Sequence, residues 1–173
     1  MEQRLELYQV LSVHDPAARV ALPLVIDIGG LDFPYLLGGF HWRDTWDTAT
    51  TRWTMGEAQL LLPPLALPAG RGATLALRAT GSRPPGIEPP QVTLTLNGTP
   101  VGNFAAATND FAIQQFPLPP RVLAKEGDTG SILTLRTTPF VPKAVGLNDD
   151  PRELGIALDW VKVEEESSES QEK

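Results

Sequence analysis

Seventeen prolines and fifteen glycines are spread through the 173 residues. Proline removes a helix hydrogen bond and glycine costs helix entropy, so this punctuation leaves no window for a long helix. Between the breaks lie short segments of period two, the mark of half-buried strands. In "ATLALRAT", Leu75 and Leu77 oppose Thr74 and Arg78; in "QVTLTLNG", Val92, Leu94 and Leu96 oppose Thr93 and Thr95. "DFAIQQF" and "SILTLRTT" read the same way, and in "LGIALDWVKVE" the pattern puts Leu154, Ile156, Leu158 and Trp160 on one face. Asn97-Gly98 supplies two residues tolerant of positive φ between two such runs, as a type I′ hairpin turn demands.

Two further strands are expected in "RLELYQVLSV" and "RVALPLVIDIGG", with Pro23 demoting part of the second toward an edge or bulge. "GEAQLLLPPLALP" reads as one short strand and a proline-bounded connection, and "GSRPPGIEPP" as an extended loop. Eight or nine strands with hairpins and no helices add up to an all-β, two-sheet antiparallel β-sandwich. Residues 1–164 form a single domain on this reading. Residues 165–173 form a disordered acidic tail, since "EEESSESQEK" carries −4 of the net −7 and no apolar side chain.

Composition removes several function classes. With no cysteine there are no disulfides, thiolate metal sites or cysteine nucleophiles. No basic stripe offers itself to phosphates, so nucleic acid is not an expected partner. No apolar run is long enough for a membrane helix, and "MEQRLELYQV" lacks a signal peptide's pattern. His14 and His41 belong to no recognisable nucleophile arrangement, and nucleotide, zinc-protease and hydrolase-elbow motifs are missing. A carboxylate pair for glycoside hydrolysis would have to come from Asp27, Asp44, Glu57 and Asp159, but any acidic chain offers such pairs.

Polar and aromatic residues concentrate in two places. In "GGFHWRDTWDTATTRWT", Phe40, Trp42 and Trp46 share a face if the run is one strand, but the small polar "DTATT" suggests a loop over 43–51. Trp42 and Trp53 are then expected in the core and Trp46 in solvent, where its removal would leave stability unchanged. An exposed loop tryptophan can stack on a sugar's apolar face while carboxylates and guanidiniums bind the hydroxyls. Arg43, Asp44 and Arg52 are the candidate partners of Trp46, and Arg52 has the alternative of pairing with a carboxylate to hold the loop. The second place is "GLNDDPREL", where Asp149 and Arg152 are candidate contacts. Asn148, Asp149, Asp150 and Glu153 could ligate calcium, but without calcium-loop spacing an Asx-type turn with Arg152 in an ion pair is expected, and no cofactor.

The succession "IDIGG", "YLLGGFHWRD", "TRWT" with "AQLLLP", "VTLTLNG", "TPFVP" and "DPRELGIALDWVKV", over roughly residues 22 to 164, resembles the β-sandwich, carbohydrate-binding-like modules of bacterial surface and membrane-linked proteins, large membrane glycosyltransferase-like proteins among them. The resemblance implies a jelly roll of the galactose-binding-like type. It also implies a non-catalytic module outside the cytoplasm, attached to an enzyme or membrane segment, with a glycan or a membrane glycosyltransferase as partner. The competing expectations are a structural or protein-docking domain and, behind it, a polysaccharide-active enzyme.

Overall fold

The computed structural model describes residues 19–46, 48–123 and 129–166. The strand expected in "RLELYQVLSV", His14, Asp47 and residues 167–173 lie outside them. Nine strands follow in order: β1 (Leu24–Asp27), β2 (Leu36–Trp46), β3 (Ala49–Leu62), β4 (Ala73–Thr80), β5 (Gln91–Leu96), β6 (Thr99–Ala105), β7 (Ala112–Leu118), β8 (Ser131–Thr137) and β9 (Ala157–Glu165). All their pairings are antiparallel, along the path β6-β5-β8-β3-β9-β4-β7, with β1 added to β9 and β2 to β3. One layer is β2, β3, β8, β5 and β6; the other is β1, β9, β4 and β7. They meet where Arg52 and Trp53 of β3 pair with Leu158 and Ala157 of β9.

The layers close on a leucine-rich core. Leu60 and Leu62, Leu75 and Leu77, Leu94 and Leu96, and Leu133 and Leu135 are fully buried on β3, β4, β5 and β8, against Ile26 of β1 and Val161 and Val163 of β9. Each such side chain contributes roughly 1.5–3 kcal/mol of burial free energy. The alternation in β4 and β5 follows the expected faces, and Asn97 (φ 50) and Gly98 (φ 80) form the tight β5–β6 turn. β1 begins just after Pro23 and is an edge strand, and residues 81–90 are irregular.

The ends of the path, β6 and β7, approach each other side by side. Phe104 of β6 packs on Phe116 of β7 with ring centroids 5.9 Å apart, and a Cβ at Gly102 would overlap the Phe116 ring. Each of these edge strands carries a proline, Pro100 and Pro117, which denies a ladder donor to any further strand.

Three expectations are corrected. In β9 the register slips between Arg78 and Ala79 of its partner β4, bulging at Asp159, so Trp160 leaves the face of Leu158 and Val161 and Val163 take the core positions. Residues 43–51 are not a loop: β2 runs to Trp46, β3 starts at Ala49, and β3 continues unbroken through the segment read as a separate short strand. The threonines that looked loop-like are β-branched and suit a strand, and Thr51 and Thr54 are buried in it. Glu165, assigned to the tail by the sequence, ends β9, and the Glu166 N–H donates to the Gly72 carbonyl.

The β2–β3 pairing is irregular at three points between Leu36 and Arg43. Gly39 makes this possible: it adopts φ +79, and a side chain there would collide with the Glu57 carbonyl. Gly38 faces open space. Gly39→Ala is expected to cost about 3 kcal/mol or more in urea denaturation, while Gly38→Ala stays within about 1 kcal/mol of the parent.

Candidate functional site

The bulged part of β2 is where the polar and aromatic candidates gather. The slip between Phe40 and Arg43 breaks the alternation, so Phe40 packs against the main core while Trp42 turns out to solvent, 81% exposed. Trp46, expected in solvent, is half-buried at the strand end. Its ring lies 6.0 Å from that of Trp53 and edge-on to Phe111 at 5.8 Å, in a small cluster with Leu154 and Phe140. The expected places of Trp42 and Trp46 are thus exchanged, because a bulge in β2 replaces a loop after it. Trp53 is in the core, as expected.

Trp42 is held from beneath. The Arg52 guanidinium sits 6.0 Å from its ring centroid and is itself fixed by Asp32, with Nε donating to Oδ2 at 2.6 Å and Nη2 to Oδ1 at 3.0 Å. A third donor, Nη1, reaches the His41 carbonyl at 3.2 Å. Asp32 is 1% exposed and also accepts the Gly29 N–H at 2.7 Å, so the loop after β1 is locked to β3 by a buried fork. Arg52 therefore follows the ion-pair alternative. Asp32 escaped the sequence reading because its partner lies twenty positions away; the only signal was a carboxylate between Leu31 and Phe33 in "LDFPY". Those two neighbours, 90% and 78% exposed, extend the apolar surface next to the fork.

On the other side, His41 Nε2 donates to the Glu153 carbonyl at 2.7 Å, tying β2 to the loop before β9. In that loop Asp150 takes Arg152 Nε and Nη2 at 3.0 and 2.7 Å, accepts the Arg152 N–H, and donates its own N–H to Asn148 Oδ1. This is the Asx-type turn with an Arg152 ion pair. The side-chain hydrogen bond from Arg152 holds the Asp150 carboxyl below the usual carboxylate range, and Asp150 and Asp44 together raise the pKa of Arg152. The structure thus brings Asp44 within electrostatic reach of Arg152, joining the two groups that are separate in sequence.

Asp44 and Arg43 are exposed on β2, and Asp44 Oδ1 accepts the Thr45 N–H. Asp149 stands fully in solvent, with Lys143 4.0 Å away. The oxygens of Asn148 and Asp150 are spent on backbone N–H groups and Arg152, and Glu153 Oε1 accepts the Gly56 N–H. No group of three or more metal-ligating side chains converges among the described residues. Of the four carboxylates considered for hydrolysis, Asp159 pairs with Arg78 and Glu57 with Arg136.

With a two-layer sandwich and an exposed, clamped tryptophan in place, the fold is that of the jelly-roll carbohydrate-binding modules. It is similar to the C-terminal family 6 module of a laminarinase from Zobellia galactanivorans, with a TM-score of 0.50 and 10% identity over 82% of this chain and 98% of that one. It is similar also to a carbohydrate-binding module of a Cellvibrio mixtus lichenase, solved with cellotriose, with a TM-score of 0.50 and 13% identity over 83% of this chain and 98% of that one. No family profile matches the chain, and no curated protein is significantly similar to it in sequence. Among the described residues no helix is long and apolar enough to cross a membrane.

Two substitutions separate the roles. Asp32→Asn leaves Arg52 without its counter-charge in a mostly buried place, and is expected to cost about 3 kcal/mol in chemical denaturation. Trp46→Ala is expected to cost about 2 kcal/mol, short of a full core tryptophan, and to lower Tm by roughly 4–8 °C in calorimetry.

Proposed function

We propose that the protein is a non-catalytic glycan-binding module whose stacking platform is Trp42. The observation that carries this reading is a tryptophan left 81% exposed on the bulged part of β2 yet held in place by a buried Arg52–Asp32 fork. An indole face in water pays a solvation penalty that a sugar's C–H face relieves, and a platform fixed beforehand loses little entropy on binding. Arg43 and Asp44, next along β2, supply a donor and an acceptor for hydroxyl groups, with Arg152 and Asp149 at the outer rim. Trp46 and Arg52 support the site from within. The cellotriose held by the Cellvibrio module, a relative in fold, favours a glucan-like chain as the first ligand class to test. The reading extends to a place outside the cytoplasm, beside a glycosyltransferase or a surface assembly, for which the resemblance of the sequence motifs is the support.

A second reading draws on Leu31 and Phe33, exposed apolar side chains on either side of Asp32, as residues that could dock a protein. Titration of the intact protein against a panel of soluble polysaccharides and oligosaccharides, followed by tryptophan fluorescence, separates the two. A saturable change for one sugar class, lost in Trp42→Ala with Tm within about 2 °C of the parent, is the expected result. A flat response across the panel, with concentration-dependent association abolished by Leu31→Ser and Phe33→Ser, would replace the glycan reading with the docking one.

A further inference from the structure

Arg83 is the one half-buried arginine among the described residues that has no carboxylate partner. Arg52, Arg71, Arg78, Arg136 and Arg152 all do, and Arg19, Arg43 and Arg121 are exposed. Its guanidinium is nevertheless held in a fixed pose. Nη1 donates to the Gly81 carbonyl at 3.0 Å, Nη2 to the Thr138 carbonyl at 2.9 Å, and the Phe140 ring lies beneath at 4.2 Å to its centroid. Burial pulls its pKa down to about 10, so the group stays charged at neutral pH, with carbonyls and a ring rather than a carboxylate around it. A guanidinium has five N–H donors, and two are spent here.

Arg83 lines a depression of about 260 Å³ between residues 83–89 and 106–109, walled by Pro84, Pro85, Ile87, Pro89 and Ala106 with Asn109 on the rim. The walls are stiff: three prolines restrict one side, the Ile87 N–H closes a turn on the Pro84 carbonyl, and the Ala106 N–H donates to the Pro90 carbonyl. A preformed hollow walled by prolines and alanine, with one immobilised cation that keeps three N–H donors, matches a ligand that presents a carboxylate on a compact ring with C–H faces. We propose that this depression is a uronic-acid subsite, in which Arg83 takes the sugar carboxylate, Asn109 a ring hydroxyl, and the proline and alanine walls the ring. The inference rests on the glycan-binding reading and adds acidic polysaccharide as its ligand class.

The test is calorimetric titration of the intact protein, at low salt, with oligosaccharides of glucuronic and galacturonic acid. Each is compared with its carboxyl-reduced neutral form, a sulfated neutral oligosaccharide and a poly-glutamate peptide. The acidic forms are expected to bind about tenfold or more tightly than the reduced ones, a preference that shrinks with salt and is lost in Arg83→Gln. Asn109→Asp keeps the fold because Asn109 is exposed, and its carboxylate competes for Arg83, so it removes the same preference even where Arg83→Gln does not fold. Equal affinity for acidic and reduced forms, or a preference that survives Asn109→Asp, overturns the subsite. Equal binding of the sulfated sugar or the peptide overturns the uronic-acid assignment. Neutral sugars bound through Trp42 without acid preference would sink the subsite and leave the glycan reading standing. Acid-specific binding untouched by Trp42→Ala would do the reverse to the platform, and no binding of any sugar ends both.

Discussion

The architecture hangs on one strand serving two layers. β3 gives its first residues to β9 and its last to β8, while β2 lies along its length. A straight ladder cannot do this, because side chains alternate strictly and the strand must keep its core face while changing partners. The irregularities therefore concentrate nearby: the register slips of β2, the bulge at Asp159 and the close approach of Gly155 to Thr54 and Met55. Where the two layers join, Trp53, Leu154 and Ala157 form a second small core with Trp46, Phe111 and Phe140 around it.

The candidate site is a by-product of that junction. The extra residue in β2 sends Trp42 out of the core, and the loop after β1 folds over so that Asp32 meets Arg52. A buried ion pair seldom adds much net stability, but it fixes geometry, since any other arrangement strands a charge. Here the geometry fixed is the floor beneath an exposed indole. The outer Asp150–Arg152 pair, half-buried, shapes the adjoining loop.

Strands β4, β5 and β8 and the Asn97-Gly98 turn were legible because period two and positive-φ chemistry are local signals. The β2–β3 hairpin was not, because "DTATT" carries the composition of a loop while Thr50 and Thr51 occupy strand positions, and one inserted residue exchanged the faces of Trp42 and Trp46. Arg43, Asp44 and Arg152 could be singled out as polar candidates, and the structure adds that Asp44 and Arg152 are near each other. Asp32, His41 and Arg83 could not, since each is defined by a partner distant in sequence: Arg52, Glu153 and Phe140 respectively. Periodicity reports faces; it is silent on which loops meet.

The seam between β6 and β7 closes on Phe104, Phe116 and the bare backbone of Gly102 rather than on a ladder, and both strands carry a proline. An open sandwich normally advertises its edges to any strand that drifts past, which is the route to edge-to-edge aggregation. With aromatic rings as the zip and prolines as blunt ends, these two edges are poor templates for a further strand.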